Sequence, residues 1–174
     1  VPFAPGGTTD IVARLVAQSL ATATGKTFVV ENKGGGSTTI ATGHVIKAPA
    51  DGYTLLANEM TQTIIPALFP KLPFDPIKDL VPVTVFAEAP YVLVVNSNVP
   101  AKNLRELVAL AKANPGKLNF ASGGAGSGPH IAGELLKSVA GIDMTHIAYK
   151  GSGPAGADLL GGQVEVLVTA APTV

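Results

Sequence analysis

Cysteine is absent from this chain of 174 residues. Without a thiol there is no disulfide, no thiolate metal site and no cysteine nucleophile. Charge is sparse too: 14% of the residues, with twelve basic groups balancing twelve acidic ones. A chain without net charge sets up no field to collect nucleic acid or an anionic membrane. Guanidinium groups are scarcer still, Arg14 and Arg105 being the whole supply, far apart in sequence. An anion site built here must therefore rely mainly on backbone N–H and hydroxyl donors. The histidines His44, His130 and His146 fall on separate expected elements without metal-ligand spacing, which argues against a zinc centre. Each is expected at the surface or in packing, with His130 also a candidate hydrogen-bond donor in a cleft. No apolar run reaches membrane-spanning length, and no basic start with an apolar signal segment opens the chain. Val1-Pro2-Phe3 reads as the end of a strand, and Ala171-Pro172-Thr173-Val174 directly follows another. The chain is therefore expected to be incomplete at both ends.

What the chain does have is glycine in three loops, each after a short apolar run and before a helical pattern. They are Ala4-Pro5-Gly6-Gly7-Thr8-Thr9-Asp10, Ser122-Gly123-Gly124-Ala125-Gly126-Ser127-Gly128-Pro129-His130 and Tyr149-Lys150-Gly151-Ser152-Gly153-Pro154. A strand–glycine loop–helix junction aims unpaired N–H groups at one spot, and the helix dipole adds partial positive charge there. Three such loops with few reactive side chains nearby point to holding a small anion rather than transforming it.

The elements alternate. Ile11, Val12, Leu15, Val16 and Leu20 recur at helical spacing, with Thr8 or Thr9 as cap and Gly25 as stop. Strand Phe28–Glu31, a helix over Thr38–Lys47 and strand Tyr53–Ala57 follow, which is the β–α–β–α–β signature of a parallel sheet. The proline-rich stretch Pro66–Pro82 reads as an ordered surface excursion. Strands Val83–Phe86 and Tyr91–Asn96 come next. Asn103-Leu104-Arg105-Glu106 opens a helix like a capping box, ended by Asn114-Pro115-Gly116. Strand Leu118–Ala121, helix Pro129–Ala140, strand Met144–Ala148, helix Pro154–Leu160 and strand Val164–Thr169 complete the pattern. The fold class is α/β in two lobes, residues 1–90 and 91–174, crossing over between about Phe86 and Lys102. Ligands of open α/β sheets bind beyond the carboxyl ends of strands, where all three loops sit.

Other chemistries are weaker on the same residues. Gly151-x-Gly153-x-x-Gly156 matches a dinucleotide fingerprint literally, but its helix is short and the next strand ends at Thr169 without an acidic residue. Gly25-Lys26-Thr27 follows a helix instead of a strand, and Leu20 stands where a Walker A loop needs its first glycine. An α/β hydrolase or transferase using Ser127 and His130 is the sharper alternative, yet no G-x-S-x-G elbow surrounds any loop serine. Lys150 is either a solvated turn lysine or a cleft residue, and Asp10 is expected to serve the helix start and the loop geometry.

The opening Val1-Pro2-Phe3-Ala4-Pro5-Gly6-Gly7-Thr8-Thr9-Asp10-Ile11-Val12-Ala13-Arg14 resembles that of the Bug (TctC-like) solute-binding proteins of tripartite tricarboxylate transporters. Glu31-Asn32-Lys33, Pro49-Ala50-Asp51-Gly52-Tyr53-Thr54-Leu55, Leu72-Pro73-Phe74-Asp75-Pro76, Ala132-Gly133-Glu134-Leu135, Tyr149-Lys150-Gly151 and Leu159-Leu160-Gly161-Gly162-Gln163-Val164 stand in that family's order. The resemblance covers essentially the whole chain. It implies a type II periplasmic binding fold that closes on a small carboxylate and delivers it to a membrane permease. It also implies no catalysis, no cofactor, no nucleic acid and no insertion into the membrane. The ligand-binding residues it implies are Phe3, Ala4, Gly6, Gly7, Thr8, Thr9 and Asp10 from the first loop, and Met60 and Thr61 from the variable segment after strand Tyr53–Ala57. Ser122, Gly126, Ser127 and His130 come from the second loop, and Tyr149, Lys150 and Gly151 from the third. Glu59 in that variable segment is expected to face solvent, because in the cleft it would oppose a carboxylate unless the ligand carried an amine. Family members continue beyond Val174 to complete the sheet of lobe one, so that lobe is expected to expose an unfinished apolar face.

Overall fold

The computed structural model describes residues 1–173, so Val174, the last residue of the expected second lobe, lies outside the described residues. Helix α1 (Thr8–Thr24) starts after an extended Gly7 and stops at Gly25, whose left-handed φ of 67° ends it as expected. A 3-10 turn over Gly36–Thr38 leads into α2 (Thr39–Ile46), and α3 (Thr61–Leu68) follows. The last was not anticipated. It bridges the variable segment ending at Thr61 and the start of the stretch Pro66–Pro82 read as a surface excursion, and Ile65 between them is wholly buried.

The expected strands of the first ninety residues do not form. Val1 makes two backbone bonds spaced as in a parallel ladder, donating to Glu31 O (2.8 Å) and accepting from Lys33 N (2.9 Å), but no ladder extends from them. Phe28–Glu31, Tyr53–Ala57 and Val83–Phe86 form no strand either. A strand exists only through a partner, and among the described residues these segments have none. Their apolar side chains are left in water: Val29, Tyr53 and Val83 are each about four-fifths exposed. Helix α1 consequently leaves Leu15 exposed although its spacing marks it for a core.

The remaining chain follows expectation to within about two residues. Strands β1 (Tyr91–Val95), β2 (Asn119–Ser122), β3 (Thr145–Ala148) and β4 (Val166–Ala170) form one sheet in the order β1-β4-β2-β3. β2 runs parallel to β3 and β4, and β1 runs antiparallel to β4. Helices α4 (Leu104–Ala113), α5 (Gly128–Ala140) and α6 (Ser152–Leu160) are the connections. Strand alternation sorts the core onto two faces. Phe120, Val166 and Val168 pack with Leu107, Ala111 and Met144 on one side, while Ala121 and Leu167 pack beneath Ala155 and Leu159 on the other. Gly133 of α5 lies so close to the Phe120 ring that an added Cβ would overlap it.

Helix α4 begins where the sequence places it. The Asn103 side chain accepts from Glu106 N (3.0 Å), and Glu106 reaches back to accept from Lys102 N (2.7 Å). Replacing Asn103 by Ala removes that cap and is expected to cost about 1 kcal/mol, read as a lower denaturant midpoint at unchanged slope.

Candidate functional site

The first and third glycine loops are packed against each other. Ala4 N donates to Lys150 O at 2.7 Å, while Thr8 N at the start of α1 donates to the Thr173 hydroxyl, past the end of β4, at 3.0 Å. Only glycine permits such an approach. A Cβ on Gly153 would stand 2.5 Å from Pro5 O, and one on Gly151 2.8 Å from Ala4 N. The Gly151–Gly153–Gly156 motif thus spends two of its glycines on the first loop, in the space where a pyrophosphate would have to approach. That removes the dinucleotide reading.

Asp10 anchors the first loop from behind. Its carboxylate accepts from Gly6 N (3.0 Å), Arg14 Nε (3.0 Å) and Asn32 Nδ2 (2.8 Å), and it is 3% exposed. Burial works to raise its pKa, but the Arg14 guanidinium, Gly6 N–H and Asn32 amide outweigh that and hold it below the usual carboxylate range. The Asp10 carboxylate shapes the loop, as the sequence implies.

The junction opens onto a cleft of about 600 Å³ between the first ninety residues and the carboxyl end of β4. Of the site residues expected from sequence, Phe3, Gly7, Thr8, Thr9, Met60 and Ser127 line it. Ala4, Gly6, Asp10, Thr61, Ser122, Gly126, His130, Tyr149, Lys150 and Gly151 are not part of that lining. Lys150 offers its carbonyl to the first loop and leaves its side chain in solvent. The Tyr149 hydroxyl donates to Asp158 at 2.6 Å, and burial with that carboxylate pushes its pKa up to about 12. The first turns of α1 and α6 both face the cleft through Thr9 and Ser152, and a helix has no internal acceptor for its first-turn N–H groups.

Sequence reasoning missed the wall formed by Thr84–Ala89 and Tyr91, because a stretch read as strand was assigned to a sheet and not to a cleft. It also misplaced Glu59. Glu59 lines the cleft, half-buried, where its carboxylate accepts from the Thr61 hydroxyl and from the Tyr91 hydroxyl (3.3 Å). Two neutral donors hold it there instead of letting it swing into water. Burial and the Glu59 charge push the Tyr91 pKa well above its ordinary value, so the phenol stays a donor.

The second loop shows no hydrolytic apparatus. Ser127 Oγ accepts from His130 N at 3.4 Å as the α5 cap, while His130 Nδ1 accepts from Gly126 N at 3.0 Å. With Nδ1 accepting, the neutral ring carries its proton on Nε2, so neither nitrogen is free to act as a base. A different pair does form, Ser122 Oγ to His146 Nε2 at 2.7 Å, but Ser122 is fully buried and outside the cleft. The two imidazoles stack at 4.0 Å beside Phe120. Burial, and for His146 also the neighbouring His130, lowers both pKa values, that of His146 to about 4. His44 is exposed, and the described residues contain no cluster suited to a metal ion.

The chain is similar to known proteins in sequence and fold. The chain is 40% identical over its whole length to protein BugT of Bordetella pertussis, covering 54% of that protein. The solved structure of Rhodopseudomonas palustris Rpa4515 with adipate superposes with a TM-score of 0.95 at 36% identity, over 99% of this chain and 58% of that one. MatC from the same organism, with bound malate, gives 0.87 at 35% identity, over 98% and 58%. The chain thus spans little more than half the length of these relatives. The model of the tripartite tricarboxylate transporter family receptor matches residues 12–174. The chain belongs to that family of receptors, and its α/β fold is that of the periplasmic binding proteins.

Proposed function

We propose that the chain forms the cleft of an extracytoplasmic receptor, with residues 1–90 and 91–174 as its two lobes. The cleft binds a small carboxylate and hands it to a membrane permease of the tripartite tricarboxylate type. The observation that carries this reading is the convergence of the α1 and α6 first turns, at Thr9 and Ser152, on one cleft. Backbone N–H groups there answer a carboxylate without needing the arginines the sequence lacks. The adipate and malate held by the two solved relatives support the same ligand class. A ligand touching both loops favours the closed arrangement, because only that arrangement offers both sets of contacts. The cleft binds and releases without chemistry, as the chain's membership of a receptor family supports. A periplasmic place fits the family, and no helix among the described residues is long and apolar enough to cross a membrane.

Thermal-shift titration with adipate, malate and related acids tests the reading, with nucleotides and esters as controls. A carboxylate at a hundred times its Kd is expected to add about 2.7 kcal/mol of stability and raise the melting temperature with dose. A folded protein that answers no carboxylate, or turns over an ester, overturns it.

A further inference from the structure

We propose that the cleft selects a carboxylate that also carries an ammonium group, with Glu59 as the counter-ion of that group. The proposal rests on the receptor reading above and narrows its ligand class.

The cleft is lined by two unlike kinds of group. The α1 and α6 first turns, at Thr9 and Ser152, favour negative charge. Glu59 and Glu88 line the same cleft and carry it. Among the described residues, no lysine, arginine or histidine lines the cleft, and Glu59 is in no ion pair. Its two partners, the hydroxyls of Thr61 and Tyr91, orient the carboxylate and are themselves neutral. Tyr91 is itself held in place, since its hydroxyl lies against Gly128 at the start of α5, close enough that a Cβ there would overlap it. A carboxylate held in place without a cation beside it is a ready partner for a cationic group. An amine-free dicarboxylate reaching Glu59 meets like charge, whereas an ammonium group supplies an ionic partner. The side chains of the cleft thus discriminate by charge, and the loop backbones supply the affinity that all carboxylates share.

The test is calorimetry on matched acids that differ only by an α-amino group: succinate against aspartate, glutarate against glutamate, and adipate against 2-aminoadipate. The wild-type chain and Glu59→Gln are titrated with each pair. In the wild type, the amino member of at least one pair is expected to bind more tightly by about tenfold or more. In Glu59→Gln that preference is expected to shrink to about threefold or less, with the amine-free acid gaining affinity. The wild-type comparison stands even where the variant fails to fold. Tighter binding of the amine-free acids by the wild type, or an unchanged preference in a folded Glu59→Gln protein, overturns the proposal while leaving the receptor reading intact. Binding of no acid in any pair overturns both.

Discussion

Gly7→Val loses its carboxylate, with affinity expected to fall by about 100-fold or more, equivalent to about 2.7 kcal/mol of binding free energy. Gly7 has φ −83° and ψ 164°, an extended conformation that valine adopts readily, so the backbone at this position is not the obstacle. The obstacle is what the side chain meets. An added Cβ would stand 3.3 Å from Ser152 N and 3.6 Å from Gly153 N, and the two γ-methyl groups of valine extend further. They would cover the α6 N–H groups that face the cleft and hold the first and third loops apart. The sequence alone predicts the same loss through blocked approach of ligand to backbone, and the structure identifies the blocked surface as the third loop.

The apo protein is the control. Gly7→Val is expected to lower its melting temperature less than Gly153→Ala does, since its nearest backbone contact is 3.3 Å and not 2.5 Å. Gly153→Ala behaves in the opposite way. Its methyl group would meet backbone only, Pro5 O at 2.5 Å and Gly6 C at 3.1 Å, and backbone cannot rotate aside. It is expected to destabilise the folded chain by about 1–3 kcal/mol before any ligand is added. Calorimetry and melting curves on both variants therefore separate loss of binding from loss of fold. Unchanged affinity in Gly7→Val removes the first loop from the site.

The difference between the two halves of the chain explains what sequence reasoning reached. From Tyr91 onward, each apolar run packs on a neighbour within the described sheet, so periodicity and structure agree. Phe120 and Val168 are strand residues by pattern and core residues in fact. Before Tyr91 the pattern of Phe28–Glu31 and Tyr53–Ala57 is as clear, yet no strand forms, because a hydrophobic pattern specifies a face and not the partner that covers it. The glycine loops were legible as backbone-binding junctions. Less legible was that glycine at Gly151 and Gly153 serves close packing between loops before it serves any ligand. Glu59 was misplaced for a related reason. A carboxylate beside Met60 reads as solvated until Tyr91, thirty-two residues on, is seen to hold it in the cleft. Likewise the spacing of His130 and His146 gives no hint that the two rings stack.

That stack makes the chain sensitive to acid, with a defined sign. The folded-state pKa of His146 is lowered from 6.5 to about 4, by burial first and by His130 second, while Lys137 adds to the effect and Glu134 opposes it. His130 is lowered as well, again chiefly by burial. Above pH 6.5 both rings are neutral in the folded and unfolded chain, and they impose no pH dependence. Below it the unfolded chain takes up protons that the folded one resists, so stability falls as pH drops from 6.5 and stops falling near 4. After allowance for the solvent that still reaches a half-buried ring, His146 should account for a loss of about 1–2 kcal/mol, or about 2–8 °C in melting temperature. Other carboxylates titrate in the same window, so the readout is the difference from His146→Gln. That variant keeps an amide for Ser122 Oγ and has no proton to gain. Its melting temperature is expected to fall less steeply between pH 6.5 and 4 than that of the wild type. Parallel curves would show that the stacked imidazoles are not the acid-sensitive element. Ligand binding should follow the same curve, because the imidazoles hold the second glycine loop through Gly126 N and Ser122 Oγ, and that loop lines the cleft at Gly123 and Ser127. Protonating His130 at Nδ1 replaces an acceptor with a donor facing Gly126 N–H, so the loop loses its anchor before the sheet beneath it loses its packing.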